Sequence, residues 1–157
     1  MPRHFAKTVI TIYMDVCCWN RPFDDQTQTR VHLEAEAVLA VVSEIERGHF
    51  QLLHSEVVDL EIANAPDLKR SKRLQALIPQ HDRYVRCEPR IFARALALEQ
   101  HGFAGVDALH LACAEAAGAD MFLTTDDRLL RVAARQPDFL RARVANPLAW
   151  LQDRFTD

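Results

Sequence analysis

The chain has 157 residues, 49% of them hydrophobic and 26% charged, with a formal net charge of −3 at pH 7. This size predicts one domain spanning residues 1–157, with a sizeable core. The balance excludes a disordered chain and a nucleic-acid binder held by charge alone, which would be strongly basic. No apolar stretch reaches the roughly 18 residues of a membrane span. Met1 to Thr8 include Arg3 and Lys7 but no apolar segment of signal-peptide length. No membrane partner and a cytoplasmic location are therefore expected. Of the cysteines Cys17, Cys18, Cys87 and Cys113, none forms a CxxC pair or a zinc-site spacing with histidine, so reduced thiols are expected.

In chain order, Val9 to Met14 is short, apolar and β-branched, which predicts a buried strand. The polar stretch from Asn20 to Thr27, with Pro22 inside it, reads as a loop. From about Thr29 to Arg47, Val31, Ala35, Val38, Leu39, Val42 and Ile45 recur at helical spacing, and Gly48 ends the helix. Phe50 to Leu53 predicts a second strand. Ser55 is a suitable N-cap for a helix running to about Asn64. After the break at Ala65-Pro66, Asp67 to Ile78 is amphipathic and Pro79 stops it. Tyr84 to Cys87 predicts a short strand, and Pro89 fits the first turn of a helix ending near Gly102. A helix over Asp107 to Ala117, a strand over Met121 to Thr124 and a helix over Asp126 to Ala134 follow. Arg141 to Ala145 predicts a last strand, and Asn146-Pro147 opens a short terminal helix. Strands alternating with helices predict a three-layer α/β/α fold with a central, mostly parallel sheet of four to five strands.

Asp15, Glu61, Asp107 and Asp126 or Asp127 carry the chemistry. Sites in parallel-sheet folds lie at the carboxyl ends of strands, where Asp15 follows one apolar run and Asp126-Asp127 follow another. Carboxylates gathered there repel one another unless a hard divalent cation sits among them. Each also has a plainer role: Asp15 as a loop cap, Asp107 as a helix cap, Glu61 as a half-exposed helix acid beside Asp59 and Glu56. One of the residues from Thr124 to Asp127 must cap the next helix, leaving the other acid to face the pit. Spacing does not choose between Asp126 and Asp127. His110, three residues after Asp107, reads as a packed residue or a partner of the acids. Cys17-Cys18-Trp19 reads as packing. No GxGxxG, P-loop or G-x-S-x-G motif is present.

Taken in order, Ile12-Tyr-Met-Asp15, Val57-Val-Asp-Leu-Glu61-Ile, Val106-Asp107-Ala-Leu-His-Leu-Ala and Leu123-Thr-Thr-Asp-Asp127-Arg-Leu-Leu resemble the PIN-domain family of nucleases, especially the VapC-type toxins. Asn146-Pro-Leu-Ala-Trp-Leu resembles the tail of many members, so the likeness runs from Val9 to Leu151. The resemblance implies an acidic quartet of Asp15, Glu61, Asp107 and Asp127 as catalytic and metal-binding residues, with Asp126 an extra ligand or a bystander. It implies Mg²⁺ or Mn²⁺ as cofactor, an RNA substrate, a cognate antitoxin and a homodimer. Members usually carry Ser or Thr just after the first Asp. Here Val16-Cys17-Cys18 follows, and Asn20 and Thr125 are the residues expected to orient the metal shell instead. The missing hydroxyl also motivates a catalytically silent module that only binds antitoxin or RNA. A DNA-directed or flap nuclease is disfavoured, because such enzymes usually carry large insertions.

Overall fold

The computed structural model describes residues 9–155. Met1 to Thr8, read above as lacking a signal segment, lie outside them, as do Thr156 and Asp157. Five strands form one sheet: β1 Ile10–Met14, β2 Phe50–Ser55, β3 Arg83–Val85, β4 Met121–Leu123 and β5 Arg143–Ala145. Their spatial order is β3-β2-β1-β4-β5, and every neighbouring pair is parallel. The central strand β1 therefore bonds to β2 on one side and β4 on the other. Thr11 to Met14 are all buried, as a strand covered by helices on both faces requires.

Eight helices connect and cover the strands: α1 Val16–Asn20, α2 Thr29–Glu46, α3 Glu56–Ala63, α4 Leu68–Leu77, α5 Pro89–Gln100, α6 Gly105–Ala116, α7 Asp127–Ala134 and α8 Pro147–Phe155. A 3₁₀ turn, Arg21–Phe23, follows α1. Helix α2 presents Val31, Ala35, Val38, Val42 and Ile45 to the core as its spacing predicts. Leu39, placed on the same face by the sequence, is 39% exposed. Gly48 follows α2 at φ +78°, a conformation that suits glycine after a helix. Cys18 and Trp19 pack as expected, and all four cysteines are free.

One buried charge shapes the frame. Glu34 of α2 is 1% exposed. Its carboxylate accepts from Arg21 Nε at 3.0 Å and from the Asn146 amide, and Arg30 Nε lies 3.5 Å away. This contact ties α2 to the turn after α1 and to the residue before α8.

The strand order reverses direction at β1: the chain steps out through β2 and β3, then returns to place β4 on the other side. Such a switch point opens a crevice at the carboxyl ends of the two strands. Asp15 follows β1 and Asp126 follows β4 by three residues.

Candidate metal centre

Asp15 is held at the crevice by backbone before its side chain acts. Its N–H donates to the Leu123 carbonyl of β4 at 3.0 Å. Its Oδ1 caps α1 by accepting from Val16 N–H at 2.8 Å. Its Oδ2 accepts from the Thr124 hydroxyl at 3.0 Å and lies 3.4 Å from the Cys17 thiol. Asp15 is 5% exposed. Burial pushes its carboxyl above the usual range, opposed by His110 and by the Thr124 and Cys17 hydrogen bonds.

Glu61 reaches the same place from α3. Its Oε2 pairs with His110 Nε2 at 2.8 Å, and the same nitrogen lies 3.8 Å from Asp15 Oδ1. Asp15, Glu61 and His110 each offer a ligand atom, and these atoms all lie within 4.8 Å of one another. His110 is fully buried, and its Nδ1 meets the Tyr13 hydroxyl at 2.7 Å. That hydroxyl meets Ser55 Oγ at 2.6 Å, and Ser55 Oγ caps α3 by accepting from Val58 N–H. With Nε2–H donating to Glu61, a neutral ring accepts at Nδ1, so the hydroxyls of Tyr13 and Ser55 each donate toward the next group. The chain runs from the cap of α3 back to a carboxylate on the same helix.

Asp107 lies in the first turn of α6, not at its cap, which is Ala104. It is half-buried. Its carboxyl is pushed up to about 6, by burial first, then by the charges of Asp15 and Asp126, with Glu61 adding to it. The Asp126 charge thus acts on Asp107. Asp126 also caps α7, accepting from Arg128 and Leu129 N–H. Among the described residues, no lysine or arginine bonds to Asp15, Glu61, Asp107 or Asp126; their nitrogen neighbour is His110, beside Asp15 and Glu61. Carboxylates so crowded, with mutual repulsion raising Asp107, fit a divalent cation that would relieve it.

Three expectations change. Asp127 does not join the pit: its carboxylate takes a two-pronged contact from Arg30, at 2.6 and 2.7 Å, which holds it below its usual range. Helix α7 begins at Asp127, so Asp126 becomes the cap at the strand end while Asp127 turns toward α2. Asn20 does not substitute for the missing hydroxyl, because its amide donates to the Val16 carbonyl at 3.1 Å within its own helix. Thr125 contributes its backbone N–H, which donates to Cys17 Sγ at 3.3 Å. Thr124, one residue earlier, supplies the hydroxyl. It donates to Asp15 and accepts from Asp126 N–H at 3.1 Å, joining the two strand ends.

Sequence reasoning left Thr124 and Cys17 outside the site and left His110 between packing and partnering the acids. Cys17 carried a signal: as the second residue of a helix capped by Asp15, its side chain lies beside the cap. Thr124-Thr125-Asp126 also fits the Thr-x-Asp spacing as well as Thr125-Asp126-Asp127 does.

An acid whose pKa rises on folding holds its proton more tightly in the folded state. Stability then falls as pH climbs from the ordinary 3.8 toward about 6, and the penalty is complete above that. In EDTA, Asp107→Asn should therefore melt above the unsubstituted protein near pH 7.5, with the gap closing near pH 4. A gap that does not move with pH would assign the effect to packing.

Fold and site together define a doubly covered parallel α/β protein with a carboxylate pit at its strand switch point. The chain belongs to the PIN domain family: the family profile described as PIN domain matches residues 12–135. No curated protein sequence matches the chain. Among solved structures, it is similar to a chain of FitAcB from Neisseria gonorrhoeae, at 18% identity and a TM-score of 0.56, covering 87% of this chain and 97% of that one. It is also similar to a chain of VapBC2 from Rickettsia felis, described as bound to a DNA fragment from their promoter, at 11% identity and a TM-score of 0.57. That match covers 87% of this chain and 98% of the other. Among the described residues, no helix is long and apolar enough to cross a membrane.

Proposed function

We propose that this protein is a divalent-metal-dependent endoribonuclease and the toxin of a toxin–antitoxin module. The observation that carries the reading is the convergence of Asp15 and Glu61, with Asp107 and Asp126 in electrostatic reach, at a switch point where no lysine or arginine among the described residues pairs with them. Membership in the PIN domain family supports nuclease chemistry. The likeness to chains of FitAcB and VapBC2 supports a small antitoxin partner. A homodimer follows the family habit. The contacts of Thr124 and Cys17 with Asp15 support an active site over a catalytically silent module.

Asp15 and Glu61 would hold Mg²⁺ or Mn²⁺, with Asp107 and Asp126 completing the shell directly or through water. A cation held by these residues would supply a lowered pKa to a bound water and offset charge on the phosphodiester. The chain's own part is orientation. Thr124 and Cys17 fix one oxygen of Asp15, and the α1 cap fixes the other. His110, backed by Tyr13 and Ser55, holds Glu61, whose side chain is 39% exposed and open to an incoming strand.

The test is cleavage of RNA under Mg²⁺ and Mn²⁺ titration, with EDTA as the control. Cleavage that appears with metal and stops with chelator is the expected result. RNA or antitoxin binding with no metal-dependent cleavage would establish the silent module instead. His110→Ala should weaken Mn²⁺ binding by roughly 10- to 100-fold, as loss of a group that orients a ligand does. Titration followed by electron paramagnetic resonance reads this directly. Unchanged Mn²⁺ affinity would reduce His110 to a packing residue.

A further inference from the structure

A pit of carboxylates repels the polyanion it is proposed to cut, and the chain as a whole is negative. Catalysis on RNA therefore needs local positive charge near the pit that the acids do not neutralise. One element meets that need. Helix α4 carries Lys69, Arg70, Lys72 and Arg73 within Leu68–Leu77 and holds no acid. No other ten-residue stretch of the sequence has four cations and no acid.

The helix is anchored so that its charge faces outward. Asp67 caps it by accepting from Arg70 N–H. Ser71 and Leu74 are buried. Ser71 Oγ donates at 2.9 Å to the carbonyl of Ile62, the residue after Glu61. Arg70 turns inward, contacting the Asn20 carbonyl at the end of α1 and the Asp24 carboxylate. These contacts attach α4 to α3, which carries Glu61, and to α1, which Asp15 caps. Lys69, Lys72 and Arg73 are exposed, share one face by their i, i+3, i+4 spacing, and have no ion-pair partner among the described residues. The exposed cations Arg30 and Arg47 are paired with acids, and the exposed Arg128 and Arg135 stand on α7 and at its C-cap, the helix that begins with Asp127.

We propose that α4 is the track that holds the RNA backbone beside the pit, through phosphate contacts from Lys69, Lys72 and Arg73. This rests on the ribonuclease reading and adds to it the surface that recognises the strand. Contacts to phosphate fix position without selecting sequence. Each neutralised phosphate of a single strand adds about 0.7 to the salt slope of binding.

The experiment compares the full chain with the triple variant K69Q/K72Q/R73Q and the charge-preserving K69R/K72R/R73K. Binding of a labelled, unstructured single-stranded RNA is followed by fluorescence anisotropy across a NaCl series, in EDTA so that no strand is cut. Hydrolysis of bis(p-nitrophenyl) phosphate with Mn²⁺ reads the metal site on a substrate too small to reach α4. The glutamine variant should lose about 2 from the salt slope, as three lost phosphate contacts require. It should bind at least tenfold more weakly at low salt and hydrolyse the small ester at the unsubstituted rate. The charge-preserving variant should match the unsubstituted protein in all three. RNA affinity and slope unchanged in the glutamine variant overturn the proposal, as does an equal loss in the charge-preserving variant. An unsubstituted protein that hydrolyses neither ester nor RNA, yet loses RNA affinity in the glutamine variant, sinks the ribonuclease reading and leaves the track standing.

Discussion

Asp15→Asn should reduce metal-dependent cleavage by roughly 10²–10³-fold or more, the scale of losing one preorganised electrostatic group at a reacting centre. The same variant, in EDTA, should be as heat-stable as the unsubstituted protein or more so. The two halves of this expectation have one cause. Asp15 is 5% exposed, and burial works against its charge. Asparagine has the same shape, can still cap α1 by accepting from Val16 N–H, and places no charge among the other carboxylates. Lost are the full negative charge that binds a cation and the acceptor that the Thr124 hydroxyl and Cys17 thiol meet at Oδ2, a smaller cost than keeping the buried charge. Thermal denaturation in chelator, set beside a cleavage time course, tests both halves. A clear drop in melting temperature without metal would mark Asp15 as a structural residue that merely sits at the strand end.

Glu34→Ala carries the largest expected effect on stability, a loss of about 3 kcal/mol. The carboxylate is buried and receives Arg21, Arg30 and the Asn146 amide. Removing it strands the Arg21 guanidinium, whose side chain is 22% exposed, with Asp24 as its remaining acid. Deleting one member of a buried ionic cluster costs more than the cluster contributes, because the other charge stays desolvated. For a chain of this length the melting temperature should fall by roughly 6–12 °C. Urea denaturation followed by circular dichroism checks it. A change within about 0.5 kcal/mol would show that Asp24 and water replace Glu34 at no cost.

Glu34 and the pit share a lesson about what the chain makes visible. The spacing of Val31, Ala35, Val38 and Val42 marked α2 correctly, because burial of one helical face leaves a 3.6-residue imprint in the sequence. Glu34 interrupts that pattern and looks like a surface acid. Its burial depends on Arg21, 13 residues away, and on Asn146, 112 residues away, which no local window relates. His110 is the same case inside the site. On an alanine-rich helix it looks like packing. Its role as the partner of Glu61 requires Tyr13, 97 residues away, to occupy its other nitrogen. The choice between Asp126 and Asp127 turned on a single residue. Successive helical residues point about 100° apart, so the start of α7 at Asp127 makes Asp126 the helix cap and turns Asp127 to Arg30.

By itself the sequence determined the alternation of strands and helices, the breaks at Gly48, Pro66 and Pro79, and the presence of acids after β1 and β4. These are recorded locally, by periodicity and by residues with restricted or unusual backbones. Tertiary structure alone decided that Glu61 and His110 reach Asp15, that Thr124 bonds to both Asp15 and Asp126, and that the Cys17 thiol lies beside the Asp15 carboxylate. Those outcomes depend on β1 pairing with a strand more than a hundred residues later in the chain, a contact formed by the cooperative packing of the whole sheet.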